Sequence, residues 1–432
     1  MSIKPSLNEL KERFGIEPSK SKEIRTPYQR DRGRIIHSAS FRRLQTKTQV
    51  LGVGEGDFHR TRLTHSLECA QTGYGLLHQL EHYADSQSPK LRGLKKCWLP
   101  ERDLIEACCL AHDIGHPPFG HGGEKLLFDR MRNCGGFEGN AQTLRILCKL
   151  EKYTDGNGIN PTRRLILGVL KYPVSYAKFS IEDSPVKGVP DKPPKCFYAE
   201  EQSIVNWALE PFSTVERENF QTLYHGKAKY KTLDCSIMDL ADDIAYGVHD
   251  IEDILARKML PERKCRALLE DAMRSANPKF SDATLQGTID HLLSEDSFRR
   301  KQIISRLVGY LIKSVEIKKI DKFKHPLLKY NVFLPEKARI FLDKLKSITL
   351  EHVAMEPHVQ QLERRGQYLV GKVFDALSND PHHLIPKWET LNAHGNIQRN
   401  LCDYVAGMTD DYLEKVYSRL FVPGYGASTD EL

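Results

Sequence analysis

An all-α fold is what this sequence predicts, and three observations carry the prediction. Apolar residues recur at spacings of three and four along most of the chain, the period of a helix with one buried face. Strict apolar–polar alternation, the mark of a half-buried strand, is scarce. The stretch that most plainly breaks the pattern, SPVKGVPDKPPK at Ser184–Lys195, is short, and its four prolines make it a loop or insertion.

Taken in order, Leu63, Leu67, Ala70, Tyr74, Leu77 and Leu80 predict a helix over Arg62–His82. Pro100 opens a second, with Leu104, Cys108 and Ala111 on its inner face. Further helices are expected around Ala141–Leu150 and Arg163–Leu170. The clearest one carries Ile237, Ala241, Ile244, Val248, Ile251 and Leu255 in a seam close to the helical period. Beyond it come helices around Lys301–Val315, Pro335–Leu350, His358–Leu377 and Asp410–Leu420. The expected organisation is an N-terminal extension over 1–30, a catalytic core over 31–260 and a C-terminal helical region over 261–432 packed on that core. The basic cluster IKKIDKFKHP at Ile317–Pro326 follows a helix and reads first as solvated surface.

Composition narrows the function classes. With 40% hydrophobic and 28% charged residues the chain is globular, and no apolar run reaches the length of a membrane span. The polar start MSIKPSLNELKERFG lacks a secretory signal, so a cytoplasmic location is expected. Ten cysteines without a CxxC pair argue against a thiolate zinc site. The net charge of +7 (64 basic minus 57 acidic) suits a polyanionic ligand such as a triphosphate; nucleic acid is allowed but not indicated.

The informative stretch is ACCLAHDIGHPPFGHGGE, Ala107–Glu124, which holds His112, Asp113, His116, His121 and Glu124. His112 falls four residues after Cys108, on the inward face of its helix, and Asp113 follows it into the turn. A buried His beside a buried Asp needs partners, and a divalent cation would satisfy both. An HD dipeptide alone is weak evidence, and a satisfied core histidine is the bland reading. Company strengthens it: His65 lies on an earlier helix, and aspartates crowd MDLADDIAYGVHDIED. Two imidazoles with carboxylates suit Mn²⁺, Mg²⁺, Fe²⁺ or a similar ion better than structural zinc.

Six segments then stand in a recognisable order: SASFRRLQTKTQV at Ser38–Val50, RLTHSLE at Arg62–Glu68 and HDIGHPPFGHGGE at His112–Glu124, then FEGNAQTLRIL at Phe137–Leu147, LADDIAYGVHDIED at Leu240–Asp253 and DYVAGMTDDY at Asp403–Tyr412. Together they resemble the deoxynucleoside triphosphate triphosphohydrolase branch, often called dGTPases, of the HD superfamily of metal-dependent phosphohydrolases. The resemblance runs from about Arg25 to about Leu420 and is loose around Ser184–Tyr230 and over much of Pro261–His394.

The resemblance implies an HD-domain helical fold with additional C-terminal helices, and hydrolysis of dGTP or dNTPs generally to deoxynucleoside and triphosphate. It implies metal ligands at His65, His112, Asp113 and one aspartate of the third helix. Asp242 and Asp243 compete for that last place. Asp242, Tyr246 and Asp250 lie at i, i+4 and i+8 on one stripe, which favours Asp242 and turns Asp243 elsewhere. His121 is implied as general acid with Glu124 as its partner; Glu124 activating water is the other arrangement the residues allow. For substrate binding it implies Gln49 and Asp250 near the 3′-hydroxyl, Arg62 on the α-phosphate, His116 facing the phosphates or standing behind the metal ligands, and Tyr246 under the sugar, for which simple core packing is the bland alternative. Arg306, with Lys301 behind it, is the loosest assignment, to the outer phosphates. Asn140 and Gln142 belong to a motif and are read as supporting residues. One ion is expected, because FEGN stands where other members have FEHN, with a further histidine. The family also commonly forms homo-oligomers, and some members take a dNTP activator at a second site. GVGEGD at Gly52–Asp57 is expected as a loop near the sugar and lacks the GK[ST] ending of a phosphate loop.

Two other functions compete. An HD-type nucleotidase or phosphodiesterase on another ester would need the metal residues but not Gln49, Tyr246 and Asp250. A nucleotide- or nucleic-acid-binding regulator with a vestigial site would be expected to have lost a motif residue. All are present.

Overall fold

The computed structural model describes residues 7–17, 23–49, 60–86, 93–94, 98–179, 193–277, 281–391 and 396–427. The Gly52–Asp57 segment and all but the last three residues of Ser184–Lys195 lie outside these. Helices dominate, with two short antiparallel hairpins, Leu223–Tyr224 with Lys227–Ala228 and Glu316–Lys319 with Tyr330–Phe333. Among the described residues no helix is long and apolar enough to cross a membrane. The described cysteines are free thiols, all buried except half-buried Cys134.

At the centre the helix Leu233–Ala256 packs against Arg62–Ser86, which packs in turn against Arg102–Ala111. The expected seam of the central helix is buried throughout, from Ile237 to Leu255. Thr232 starts this helix by accepting the Cys235 N–H, and a bidentate pair between Arg164 and Asp234 (2.7 and 3.0 Å) fastens it to the Arg163–Val169 helix. On Arg62–Ser86 the expected stripe is partly displaced. Leu67 is 51% exposed, whereas Cys69, Leu76 and Ala84 are buried. This helix is covered on two sides, so its buried arc is wider than a single stripe and rotates away from Leu67. The second helix starts two residues after Pro100, and every residue from Leu104 to Ala111 is buried.

The N-terminal extension is tied down. Leu10 is fully buried, and Arg13 donates to Asp31 (2.6 Å) and to the Pro27 carbonyl (2.9 Å). Pro27–His37 follows with a capping box between Thr26 and Gln29. Two helices end in π-type turns, Ile146–Leu150 after Gly139–Arg145 and Ile348–Val353 after Glu336–Ser347. A second apolar core joins Gly120–Met131 to the C-terminal helices Pro357–Asn379, Ile397–Ala406 and Asp410–Phe421. The basic cluster follows the helix Ser297–Lys313, as expected, and forms the strand Glu316–Lys319 and the turn after it.

His325, at the end of that turn, yields a stability prediction. It is buried, its Nδ1 accepts the Leu327 N–H (3.2 Å), and it packs edge-on against Trp98 and Phe212. Burial pushes its imidazole down to about 4, with Arg164 adding to the shift and Glu216 opposing it. An unfolded histidine takes its proton near pH 6.5, so the folded state refuses a proton that the unfolded chain accepts. Stability from this group is therefore complete above about pH 6.5 and is lost as the pH falls towards 4, about 2 kcal/mol of it by pH 5. In urea titrations at pH 7 and pH 5 the wild type should lose about that much more than His325→Asn, which keeps the capping acceptor. Equal losses would remove His325 as the cause.

Candidate metal centre and active site

Three helices and one turn converge on a single point. His65 lies in the first turn of Arg62–Ser86, and His112 ends Arg102–Ala111. Asp113 begins the turn that runs to Phe119, and Asp242 sits midway along Leu233–Ala256. His65 Nε2 is 3.2 Å from Asp242 Oδ1, and His112 Nε2 is 3.5 Å from that oxygen and 3.5 Å from Asp113 Oδ1. Donor atoms of His65, His112 and Asp113 all lie within 4.8 Å of one another.

These separations fit donors arranged around one cation. Two bonds of roughly 2.1 Å meeting at roughly 90–110° put their donor atoms about 3.0–3.4 Å apart. The tautomer fits as well. His112 Nδ1 is 2.6 Å from the Cys109 carbonyl, which can only accept, so Nδ1 carries the proton and Nε2 offers its lone pair. That Nε2 is buried without a hydrogen-bond partner. Charge points the same way. Burial alone would lower the His112 imidazole, yet the carboxylates of Asp113 and Asp242 raise it well above its usual range. The pocket favours positive charge at this point, which a divalent ion would supply.

Asp243 faces away, paired with Arg339 (2.8 Å) and with Lys346. Arg62 donates to Asp113 Oδ2 (2.7 Å) and more distantly to the Gln49 carbonyl (3.4 Å), while His116 Nδ1 is 3.0 Å from Asp113 Oδ1. Burial opposes ionisation of Asp113, but His116, His112 and Arg62 outweigh it and hold the carboxyl well below its ordinary range. Asp242 is held down in the same way, with His65 and Lys171 beside His112.

On the far side of the turn His121 stands at the start of Gly120–Met131, its side chain 77% exposed. Its Nδ1 is 3.2 Å from Glu124 Oε2, and the buried Glu124 accepts the Gly139 N–H through Oε1 (2.8 Å). Burial would raise the Glu124 carboxyl; the bond to His121, with Lys195 and His116, brings it far below the usual value. Gly139 is the residue that departs from FEHN. A Cβ there would lie 3.3 Å from Glu124 Oε1 and 3.4 Å from His116 Nε2, so any side chain at this position would crowd both groups.

Two turns along the central helix from Asp242 lies Asp250, on the wall of a small concavity shared with Gln49, Arg60, Asp253, Arg257 and Thr349. Gln49 Oε1, Asp250 Oδ2 and Thr349 Oγ1 are all buried without hydrogen-bond partners. Burial lifts the Asp250 carboxyl well above its ordinary range; Asp253 adds to this, and Arg60 opposes it. Tyr246, half-buried, lies between Asp242 and Asp250 on the same stripe, with Lys346 5.9 Å from its ring centre.

Arg306 is not brought to this cluster. It stands exposed on Ser297–Lys313, with no hydrogen bond or ion pair to these groups among the described residues, and Lys301 pairs outside with Glu252 (3.2 Å). The cations at hand are others. Lys171 Nζ is 2.6 Å from Asp239 and 3.6 Å from Asp242 Oδ2; Lys231 bonds the same Asp239. Lys195 Nζ is 2.6 Å from Glu138 and 4.0 Å from Glu124, with the Tyr172 ring 5.8 Å away. Asn140 and Gln142 support the turn, donating to Glu138 (2.8 Å) and Asp403 (2.9 Å). Thr349 and these lysines were not legible as site residues, because nothing in their local sequence distinguishes them from solvated or core positions.

Comparison with known proteins gives matching results. Residues 62–168 match the HD domain family, and residues 332–419 match the phosphohydrolase-associated domain. A Deinococcus radiodurans protein named deoxyguanosinetriphosphate triphosphohydrolase-like protein 2 is 43% identical, covering 97% of this chain and 98% of the relative. Proteins named deoxyguanosinetriphosphate triphosphohydrolase-like from Actinobacillus succinogenes and Aliivibrio fischeri are 40% and 42% identical, over 95% and 92% of this chain and 98% and 94% of their own lengths.

Proposed function

The chain belongs to the deoxyguanosinetriphosphate triphosphohydrolase-like family of HD-domain hydrolases, and from that premise we propose that it converts deoxynucleoside triphosphates to deoxynucleoside and inorganic triphosphate. The observation that carries the substrate class is the concavity beside the candidate metal centre. Three unpaired polar atoms, on Gln49, Asp250 and Thr349, line one small space. Asp250 is eight residues from Asp242, about 12 Å along the helix axis, which leaves a sugar and its 5′-phosphate room between the two carboxylate arms. A 3′-hydroxyl entering there would donate to one of the two acceptor oxygens, on Gln49 or Asp250, and could accept from the Thr349 hydroxyl, relieving part of a costly unpaired state.

In this reading His65, His112, Asp113 and Asp242 hold one divalent ion, Mn²⁺, Mg²⁺ or Fe²⁺. When bound, that ion would polarise the α-phosphate and help to hold water. The protein's own groups do the rest. Arg62, between the Asp113 carboxylate and Gln49, presents a planar fork to the α-phosphate oxygens. Lys171, Lys195 and Lys231 form a basic wall for the outer phosphates and replace Arg306 in that role. A water oxygen bonds to the α-phosphorus as the bond from phosphorus to the 5′-oxygen breaks. His121 gives a proton to that departing oxygen, and Glu124, bonded to its Nδ1, keeps the ring aimed. Tyr246 lies where it excludes a 2′-hydroxyl, which discriminates by clash rather than by a lost contact. A cytoplasmic homo-oligomer, with a second dNTP site as activator in some relatives, is the setting the family resemblance suggests.

The test is product analysis. Purified protein is incubated with each dNTP, singly and in mixtures, and with GTP, in Mn²⁺ or Mg²⁺, and the products are separated. Deoxynucleoside with intact triphosphate is expected, with GTP spared. Monophosphate with pyrophosphate would place the cut at another bond and sink the mechanism.

A further inference from the structure

Asp410 is buried, and its carboxylate is committed to backbone outside its own helix. It is the first residue of Asp410–Phe421, a helix already capped by Thr409, which accepts the Tyr412 N–H. Asp410 Oδ1 accepts the N–H of Phe119 (2.9 Å), and Oδ2 accepts both the N–H (2.9 Å) and the hydroxyl of Thr48. Both targets border the candidate site. Thr48 directly precedes Gln49, and Phe119 precedes Gly120 and His121.

Phe119 is also strained. Its φ of 58° and ψ of 27° lie in the left-handed region, which a residue with a side chain rarely adopts. A second grip comes from Pro357–Asn379, where a Cβ on Gly366 would come within 2.6 Å of the Phe119 side chain, so the ring sits directly on that glycine. A third is Lys47, buried, which donates to the His116 carbonyl (2.6 Å) and to the Ala406 carbonyl (2.9 Å). C-terminal helices thus hold the turn from His116 to His121 and the segment carrying Gln49 at once.

We propose that Asp410 is a positioning residue that locks the Gln49 segment and the His121 turn in one register, so that the sugar and the α-phosphate of one nucleotide are engaged together. The proposal rests on the roles given to Gln49 and His121 above. A carboxylate suits the task because both of its oxygens accept. An amide of the same size accepts with one arm and turns N–H against N–H with the other, releasing one of the two segments.

Asp410→Asn in the full-length protein should lower kcat/KM for a dNTP by about tenfold to a hundredfold, the scale of a misplacement near 1 Å. More tellingly, the preference for each dNTP over its 2′,3′-dideoxy analogue should shrink towards that of Gln49→Ala. Thr48→Val, which removes only the hydroxyl donor, should shift the preference the same way by less and covers the case in which Asp410→Asn does not fold. Asp403→Asn is the structural comparison, because Asp403 ties Ile397–Ala406 to Arg145 (2.8 Å) and Gln142 (2.9 Å) of Gly139–Arg145 without touching Thr48 or Phe119. It should leave the preference unchanged. A wild-type preference retained in Asp410→Asn, or shifted as far in Asp403→Asn, would overturn the proposal. A wild type with no preference for the 3′-hydroxyl would overturn the functional reading beneath it, and the proposal with it.

Discussion

Asp113→Asn is expected to lose the bound divalent ion and to lower turnover by about a thousandfold or more, with the fold retained. The substitution keeps the volume of a side chain that is almost fully buried, so packing is undisturbed. What changes is charge. Asp113 carries a negative charge shared among Arg62, His112 and His116, and its Oδ1 is one of the donors facing His112 Nε2. Without it Arg62 loses its ionised partner, and the excess positive charge opposes a cation. Metal content by mass spectrometry and turnover should therefore fall together. The aspartate pair on the central helix gives the contrast. Asp242→Asn should behave like Asp113→Asn, whereas Asp243→Asn should stay within about twofold of wild type, since Asp243 is held by Arg339 and Lys346 on another side of the helix. Normal metal content in both Asp113→Asn and Asp242→Asn would refute the ligand assignment. Loss of metal in Asp243→Asn would reverse the choice between neighbours.

That choice shows what a sequence can carry. The angular step of a helix separates Asp242 from Asp243, and the same periodicity sets Tyr246 and Asp250 on the Asp242 stripe. The central helix was legible for the same reason, because its seam faces one direction. Arg62–Ser86 was less so: it is covered by two helices, and the stripe through Leu67 does not coincide with its buried arc. The strand Glu316–Lys319 was hidden because its lysines conceal the alternation. Residues assembled by tertiary contact alone were beyond reach. Lys171 meets Asp242 across 71 positions of chain, and Thr349 reaches the concavity beside Asp250 from a π-type turn that no local pattern signals. Arg306, the loosest assignment, stands exposed on its helix, away from the cluster around Asp242.

His121→Ala should cost about 10²–10⁴-fold in kcat while leaving metal content and KM close to wild type. The side chain is largely exposed, so its loss opens no cavity, and it touches none of the candidate metal ligands by hydrogen bond. Its bond to Glu124 commits Nδ1, which leaves Nε2 as the proton donor. Glu124→Gln tests the partner. The amide oxygen can still accept the Gly139 N–H, yet the carboxylate that orients the imidazole is gone, and a smaller loss of about 10–100-fold follows. The role as acid, rather than as activator of water, has its own signature. A deoxyribose 5′-oxygen is a poor leaving group and needs a proton, whereas a nitrophenolate does not. With the p-nitrophenyl ester of triphosphate the His121→Ala defect should therefore shrink to less than about tenfold. A defect of equal size on both substrates would mean that His121 or Glu124 acts on the attacking water, and the proton supplied to the leaving oxygen would have to come from another group.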